Sequence, residues 1–140
     1  MNRLKDKVAL IIGAADGIGL AISQAFVNEG ASVVMCDINA DKCDEEAQNL
    51  VGNGGVIRSF SCDVGVTKDV QFVIDKTLEE FGRIDVLVNN AAVAISADIR
   101  EMSESDWDKL MNINLKGVFR GIKMTLPHMI KRQSGSIISL

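Results

Sequence analysis

The chain alternates short runs rich in Val and Ile with longer stretches whose apolar residues recur at helical spacing. The strand candidates are VALII (8–12), ASVVMC (31–36), VIRSFSC (56–62), IDVLVN (84–89) and SIISL (136–140). Two parallel strands need a crossover of a dozen or more residues between them, and a helix supplies one. The alternation therefore predicts an α/β fold built on a parallel sheet.

Two of the intervening segments carry the apolar stripe of an amphipathic helix. In GIGLAISQAFVNEG (17–30) the residues predicted to share one face are Ile18, Ala21, Ile22, Ala25 and Phe26. In KDVQFVIDKTLEEFG (68–82) they are Val70, Val73, Ile74, Leu78 and Phe81. Both segments end in glycine, which commonly terminates a helix. We expect these helices to cross over between successive strands.

Polar residues and one proline indicate where the other helices begin and end. Asp41 starts a second helix through DKCDEEAQNLV (41–51), and Thr67 is placed to cap the helix that follows it. Residues 103–131 form mostly one long helix, which Pro127 should bend or interrupt near its end. The residues that recur at three and four positions in this long helix are Trp107, Leu110, Met111, Asn114, Val118, Ile122 and Leu126.

Length, charge and hydropathy exclude several classes of protein. A chain of 140 residues can bury the core of one domain. The net charge is −4 and the basic residues are scattered, which argues against a nucleic-acid partner. The basic opening MNRLKDK precedes an apolar run too short for a signal peptide, and no stretch approaches the roughly 18 apolar residues of a membrane span. We expect a cytoplasmic protein without a membrane partner.

The residues that usually carry metal or nucleophilic chemistry are few and scattered. Cys36, Cys43 and Cys62 are odd in number and lack CxxC spacing, so we expect reduced thiols and no metal site. His128 is the single histidine, and no nucleophile motif surrounds it. A zinc site and a Ser-His-Asp hydrolase are both disfavoured.

The three glycines Gly13, Gly17 and Gly19 follow the first strand and open the first helix. In this context glycines allow a tight exit from the strand, close approach of backbone to a pyrophosphate, and close packing of the helix on the sheet. The helix amino terminus offers free N–H groups and a partial positive charge to phosphates. The alternative GxxxxGK phosphate loop is excluded, because no Lys-Ser or Lys-Thr pair follows the turn.

The GxxxGxG spacing and four further landmarks together resemble the short-chain dehydrogenase/reductase family. The landmarks in order are GAADGIG (13–19), Asp37 at the end of the second strand, CDV (62–64), NNAA (89–92) and NINLKGVF (112–119). The resemblance implies a Rossmann-like fold, a doubly wound parallel sheet of order 3-2-1-4-5 with helices on both faces. It also implies one NAD-binding domain over residues 1–140. A native terminus rarely stops within a strand beside an exposed sheet edge, because its unpaired N–H and C=O groups invite pairing with other chains. We therefore expect this domain to be cut within its fifth strand.

The resemblance assigns cofactor contacts to residues that follow the strands. Asp37 would accept both hydroxyls of the adenosine ribose, Asp63 would reach the adenine amino group, and the Val64 backbone would meet the ring. Asn89 would tie neighbouring strands together beside the cofactor, with Ala91 near the ribose. The full expected cofactor-binding set is Gly13, Ala15, Asp16, Gly17, Ile18, Gly19, Asp37, Ile38, Cys62, Asp63, Val64, Asn89, Ala91 and Ala92. Without the resemblance, Asp37 could simply end strand pairing and the asparagines could be loop residues.

Acidic residues at the adenosine end favour NAD(H) over NADP(H). Asp37 would repel a 2′-phosphate, since two unit charges 4 Å apart interact by about 4 kcal/mol at an effective dielectric of 20. Asp16 lies where NADP-using members of the family often place a basic residue. No arginine follows directly after Asp37 to reverse the effect. NAD(H) is therefore the expected cofactor.

One catalytic position of the family is matched, and two positions depart from its pattern. Asn114 corresponds to the asparagine that holds a water of the proton relay, although it could also be a polar residue at a helix kink. Ile12 replaces a threonine whose hydroxyl braces the glycine turn. Ala92 replaces the glycine of NNAG and adds a methyl group near the nicotinamide.

The family's serine, tyrosine and lysine have no counterparts in this sequence. The chain contains no tyrosine, and the alignment puts Ser139 on a strand, with the catalytic serine two residues past Leu140. We expect the segment to bind the cofactor for an oxidoreductase that interconverts a secondary alcohol and a ketone, and the 140 residues alone to be inactive. The family likeness further implies a homodimer or homotetramer and a small-molecule alcohol or carbonyl substrate.

Two other functions fit parts of the sequence. A non-catalytic dinucleotide sensor could use the same fold, because function depends on the site rather than on the fold. A flavodoxin-like or receiver-type domain that binds FMN or phosphate would explain the alternating strands. It would not explain the glycine spacing combined with Asp37.

Overall fold

The computed structural model describes residues 2–50 and 56–140. Five parallel strands form one sheet in the order β3-β2-β1-β4-β5. The strands are β1 (Val8–Ile12), β2 (Ser32–Asp37), β3 (Ile57–Ser61), β4 (Val86–Asn89) and β5 (Ser136–Ser139). The predicted doubly wound sheet and its strand order are confirmed. A flavodoxin-like domain has the order 2-1-3-4-5, so that alternative is wrong.

Helices connect the strands as the apolar stripes predict. They are α1 (Gly17–Asn28), α2 (Ala40–Leu50), α3 (Thr67–Phe81), α4 (Glu104–Leu110) and α5 (Lys116–Arg132). The predicted second helix extends to Val51, which lies outside the described residues. In the described part of the chain, none of the helices is both long and apolar enough to cross a bilayer.

The predicted long helix is interrupted, but not at Pro127. A π-turn over Met111–Leu115 joins α4 to α5, and α5 continues past Pro127 to Arg132. Proline removes the helical donor to the carbonyl four residues earlier, here that of Lys123. Pro127 and Lys123 are both exposed, so water can reach that carbonyl. The predicted interruption at Pro127 is therefore wrong.

Helices cover both faces of the sheet. Successive residues of β1 alternate between two clusters: Ala9 and Ile11 pack with α1 and α2, whereas Leu10 and Ile12 pack with α3 and with Met129 of α5. Every residue of β1 is buried. A strand covered on both faces reads as a continuous apolar run, which is what VALII is.

The face of α1 that meets the sheet differs from the predicted one. Gly19, Ser23 and Val27 are its buried residues, whereas Ile18 is 64% exposed. The Ser23 hydroxyl donates to the Gly19 carbonyl at 2.9 Å, so its burial leaves no unpaired polar group. Small residues let the helix approach the sheet closely. Of the predicted stripe, Ile22 and Phe26 are partly buried against this core, whereas Ala21 and Ala25 are exposed like Ile18. In α3 the predicted face is confirmed.

Thr67 does not cap α3. It is the first residue of that helix, whose cap position is Val66 without a side-chain hydrogen bond. The Thr67 hydroxyl instead accepts a hydrogen bond from Arg120 of α5 at 3.1 Å. At the start of α2 the Asn39 side chain accepts from the Lys42 amide at 3.2 Å. A long-range contact thus replaced the predicted cap at Thr67, and α2 begins at Ala40, one residue before the predicted Asp41.

Asp85 ties β1, β4 and α5 together at the amino end of the sheet. Its carboxylate accepts from the Val8 amide at 2.9 Å, from Arg83 at 2.8 and 2.6 Å, and from Arg132 at 3.1 Å. The Asp85 side chain is 4% exposed. Burial alone would raise the pKa of this carboxyl, but the hydrogen bonds from Arg83, Val8 and Arg132 outweigh it and hold the pKa below its usual range.

Replacing Asp85 with alanine should destabilise the protein by about 3 kcal/mol, near the lower bound for breaking a buried ion pair, because both arginines are partly exposed. The wild-type carboxyl has a lowered pKa when folded. Its stabilisation is complete above the ordinary carboxyl pKa of about 3.9 and is lost as the pH falls through the lower folded value. Urea unfolding between pH 7 and pH 3 measures both effects.

Asp98→Ala is the matched control, because Asp98 pairs with Arg100, whose side chain is 85% exposed. An exposed pair contributes about 0 to 1 kcal/mol. Equal losses of unfolding free energy in the two variants would contradict the assigned role of Asp85.

Candidate cofactor-binding site

A cleft of about 230 Å³ opens at the carboxyl ends of β1 to β4. The strand order reverses between β1 and β4, and in open α/β sheets ligands bind at such a switch point. The residues that line the cleft are Gly13, Asp16, Asp37, Ile38, Cys62, Asp63, Val64, Asn90, Ala91, Ala92, Val93 and Ile113. Nine of the predicted site residues are therefore together in this cleft. The predicted residues not among its lining are Ala15, Gly17, Ile18, Gly19, Asn89 and Asn114.

Gly13 and Gly19 are required by packing. Gly13 has φ +85°, and a Cβ there would lie 2.6 Å from the Ala91 nitrogen and 2.7 Å from its Cα. A Cβ on Gly19 would collide with the Gly13 carbonyl. The Asn90 side chain donates to that carbonyl at 2.7 Å. The turn is thus pressed against the segment after β4, which leaves no room for larger residues.

Gly17 differs from the other two glycines because the space beside it is empty. Its φ is +51°, and nothing lies within 4 Å of where its Cβ would be. At the cap position of α1, Asp16 makes no capping hydrogen bond to the described residues. The Asp16 carboxylate instead pairs with Lys42 at 2.9 Å. The first amides of α1, which lack partners within the helix, are therefore available to a ligand.

The Asp37 carboxylate is held in place by two backbone amides. One oxygen accepts from Ala15 and the other from Asn39, both at 3.0 Å. A carboxylate offers about four acceptor sites, so two remain for a ligand's hydroxyls. The side chain thus has a fixed position beside the glycine turn and a free acceptor capacity.

Lys42 lies near both acidic residues of this end of the cleft. The hydrogen bond to Asp16 raises the pKa of Lys42, and the charges of Asp16 and Asp37 raise it further. Asp16 is thereby partly neutralised, whereas Asp37 has no ion-pair partner within the described ranges. The unneutralised negative charge at this end belongs to Asp37.

The turn after β3 presents Asp63 to the cleft. One Asp63 oxygen accepts from the Gly65 amide at 2.7 Å, and the Asp63 amide donates to Asp69 at 3.0 Å. Cys62 and Val64, on either side, are buried. Asp63 is therefore the polar group of this turn that a ligand can reach.

The thiols near the cleft are free and buried. Cys36, Cys43 and Cys62 form no disulfide. The hydrogen bond with Cys62 and burial raise the pKa of Cys36, and burial raises the pKa of Cys43 to about 12. Such thiols are poor nucleophiles at neutral pH.

Asn89 ends β4 and Asn90 follows it, and their side chains point to opposite sides, as successive strand residues do. Asn89 is buried and donates to the Ser139 hydroxyl at 3.3 Å, which joins β4 to β5. Asn90 faces the glycine turn and lines the cleft. Asn90 was not among the predicted site residues, although the alternation of strand side chains predicts that only one of the two asparagines faces the cleft.

Asn114 lies in the π-turn and binds the segment after β4. Its side-chain oxygen accepts from the Val93 amide at 2.9 Å, and its side-chain nitrogen donates to the Val93 carbonyl at 2.8 Å. Val93 and Ile113 line the cleft beside it. Neither residue was among the predicted site residues: Ile113 lies in the π-turn, and Val93 is held by Asn114 of that turn, which no sequence pattern predicted. Asn114 therefore fixes the far end of the cleft.

Comparisons with known proteins agree with this geometry. A family model described as short chain dehydrogenase matches residues 7–140. The chain is 41% identical over 138 residues to 3-oxoacyl-(acyl-carrier-protein) reductase FabG of Thermotoga maritima, covering 99% of this chain and 56% of that protein. It is 42% identical over 138 residues to D-threitol dehydrogenase of Mycolicibacterium smegmatis, covering 99% of this chain and 53% of that protein.

A solved structure, the crystal structure of gox2181, superposes with a TM-score of 0.95 at 31% identity and covers 99% of this chain and 54% of that one. The chain thus spans about half the length of the relatives it matches. The family model covers nearly every residue of the chain, including all of those that line the cleft. The chain belongs to the short-chain dehydrogenase family.

Proposed function

We propose that this chain is the NAD(H)-binding part of an oxidoreductase that interconverts a secondary alcohol and a ketone. The observation that carries the proposal is the Asp37 carboxylate, held by two amides beside a glycine turn whose helix amino terminus is uncapped by the described residues. A diphosphate suits the helix terminus, and a ribose diol suits the carboxylate. The open space at Gly17 fits the close approach of a phosphate.

Each residue of the cleft would have a simple binding task. The first amides of α1 would donate to the diphosphate, and Asp37 would accept the ribose hydroxyls. Asp63 would accept from the adenine amino group, with the Val64 backbone against the ring. Ala91 and Ala92 would lie along the ribose and the nicotinamide. When bound, the nicotinamide would supply hydride transfer, and the protein would supply position and electrostatics.

Asn114 would serve the proton side of the reaction by holding a water of a proton relay. Its side chain is anchored to Val93 at both polar atoms, so the residue is held in one position beside the cleft. The sequence contains no tyrosine to act as the family's acid and base. We therefore propose that these 140 residues alone bind cofactor without turnover.

Charge favours NAD(H) over NADP(H) at this site. A 2′-phosphate would lie against Asp37, whose charge no described basic side chain pairs with. At 4 Å and an effective dielectric of 20, the repulsion is about 4 kcal/mol before screening by salt. Lys42, which is held by Asp16, weakens the effect without removing it.

An exposed apolar surface on the last helices supports assembly into a homodimer or homotetramer. Leu115 is 65% exposed, Phe119 53% and Ile130 64%. The buried residues of α5 are Gly117, Arg120, Gly121, Thr125 and Met129. The members of the predicted stripe in this helix are not its buried residues: Val118 and Ile122 are half-buried and Leu126 is exposed. Such a patch on a soluble domain marks an interface, here with a second copy.

Cofactor choice can be tested at Asp37 and its neighbour Ile38. Replacing Asp37 with alanine together with Ile38→Arg should favour NADPH. The dissociation constant for NADPH divided by that for NADH should fall by tenfold or more, and tenfold corresponds to about 1.4 kcal/mol. Fluorescence titration of the chain with NADH, NADPH and FMN measures this. Asp41→Ala, which removes an exposed acid from α2, should leave the ratio unchanged. Tight FMN binding without a nicotinamide response would overturn the proposed function.

The proposed diphosphate position at the glycine turn can be tested with a matched control. Gly17 and Gly82 have φ of +51° and +71°, and neither would place a Cβ within 4 Å of another atom. Alanine at either position should destabilise the protein by about 1 to 2 kcal/mol. Only Gly17→Ala should raise the dissociation constant for NADH, by tenfold or more, because its methyl occupies the space proposed for the diphosphate. Equal NADH affinities in the two variants would contradict this placement.

A charged substitution on the exposed apolar surface tests the proposed assembly. Phe119→Glu should lower the weight-average mass at micromolar concentration, because a carboxylate would be desolvated in the interface. Ile99 is 74% exposed and lies outside α4 and α5, so Ile99→Glu is the control. Sedimentation velocity measures both variants. A wild-type chain that sediments as a monomer at every concentration would refute the association of this segment.

A further inference from the structure

Arg120 is a buried cation without a carboxylate partner among the described residues. It lies on α5 and is 6% exposed. In the part of the chain that the structure describes, its guanidinium forms no ion pair. A buried charge is costly unless its donors are satisfied. The donors of Arg120 must therefore be satisfied by neutral acceptors.

Neutral acceptors from three segments surround the guanidinium. Its Nε donates to the Thr67 hydroxyl at 3.1 Å. One Nη donates to the Val64 carbonyl at 2.9 Å and to the Asn112 carbonyl at 3.1 Å, and the other donates to the Asn112 side-chain oxygen at 2.8 Å. The rigid fork of arginine suits such a divergent set of acceptors. Arg120 thus joins the turn after β3 to the π-turn.

The π-turn itself creates one of these acceptors. The Lys116 amide donates to the Met111 carbonyl, five residues back instead of four. The Asn112 carbonyl consequently loses its ordinary helical donor, which would have been Lys116. The Arg120 guanidinium donates to this oxygen. A π-turn leaves a backbone acceptor unpaired, and Arg120 satisfies it.

The π-turn contacts both ends of the cleft, through Asn112 and Asn114. Its side-chain nitrogen donates to the Gly65 carbonyl at 3.2 Å, in the turn that carries Asp63. Two residues farther along the π-turn, Asn114 holds Val93 at the other end of the cleft. Val64 and Val93 both line the cleft. One guanidinium therefore lies between the adenine side of the cleft and the residue proposed for the proton relay.

We propose that Arg120 is a positioning residue that stabilises the π-turn and fastens it to the turn after β3. Through these bonds one side chain sets both the adenine-side wall of the cleft and the position of Asn114. The effect on the π-turn is independent of any ligand. The effect on binding rests on the proposed dinucleotide site.

The test compares Arg120→Met with Arg132→Met in the 140-residue chain. Both arginines lie on α5, but Arg132 bonds to Asp85 at the amino end of the sheet, opposite the cleft. Hydrogen exchange of the Val93 amide, which donates to Asn114, reports the π-turn. The dissociation constant for ADP-ribose reports the adenine side of the cleft.

Arg120→Met should accelerate Val93 exchange and raise the ADP-ribose dissociation constant, each by tenfold or more. Arg132→Met should lower the melting temperature and leave both quantities within twofold of wild type. Arg120→Lys should give intermediate values, because an ammonium keeps the charge but cannot reach all of the acceptors. Val93 exchange in Arg120→Met equal to that in Arg132→Met would overturn the proposal.

Two further results separate the possible failures. If Arg120→Met does not fold, Arg120→Lys and Asn112→Ala replace it in the comparison, because each removes part of the hydrogen-bond network around Arg120. Unchanged Val93 exchange in both variants would overturn the proposal. If wild type does not bind ADP-ribose, the proposed dinucleotide site is wrong. Val93 exchange then still decides whether Arg120 stabilises the π-turn.

Discussion

The contact between Gly13 and Ala91 is the constraint on which the rest of the site depends. The turn after β1 lies so close to the segment after β4 that a Cβ on Gly13 would be 2.6 Å from the Ala91 nitrogen. Hydrogen bonds hold it from both sides, since its amide donates to Cys36 of β2 at 2.8 Å and its carbonyl accepts from Asn90 at 2.7 Å. The direction of α1 and the opening of the cleft both follow from this packing.

The electrostatics of the cleft follow from where its polar groups find partners. Asp37 accepts from the Ala15 and Asn39 amides, so its position is fixed before any ligand arrives. Asp16 could have capped α1, but it extends to Lys42 and leaves the helix amides free. The result is a donor-rich helix terminus next to a fixed acceptor. Groups oriented in advance do not have to be reorganised on binding, which is how preorganisation improves affinity.

Strand positions and most helices could be predicted from hydrophobic periodicity, which is a local pattern, and the strand order from the family resemblance. The faces of α1 and α5 could not, because burial there depends on small or internally bonded residues: Ser23 is buried with its hydroxyl paired to Gly19. The π-turn escaped prediction for a related reason. One extra residue in a helix leaves no apolar signature. Arg120 bonds to the π-turn and is buried, but from the sequence alone an arginine on a helix is expected at the surface.

Stability and binding are assigned to opposite ends of the sheet. At the amino end, Asp85 joins two arginines and the Val8 amide, which stabilises the fold. At the carboxyl end the chain keeps features that cost stability: a left-handed backbone at Gly17 and exposed apolar side chains, with Ile38 69% exposed. None of these helps the folded chain alone. A ligand bound in the proposed site would cover the apolar surface and fill the space beside the glycine, so the position of these features at the cleft supports binding as their role.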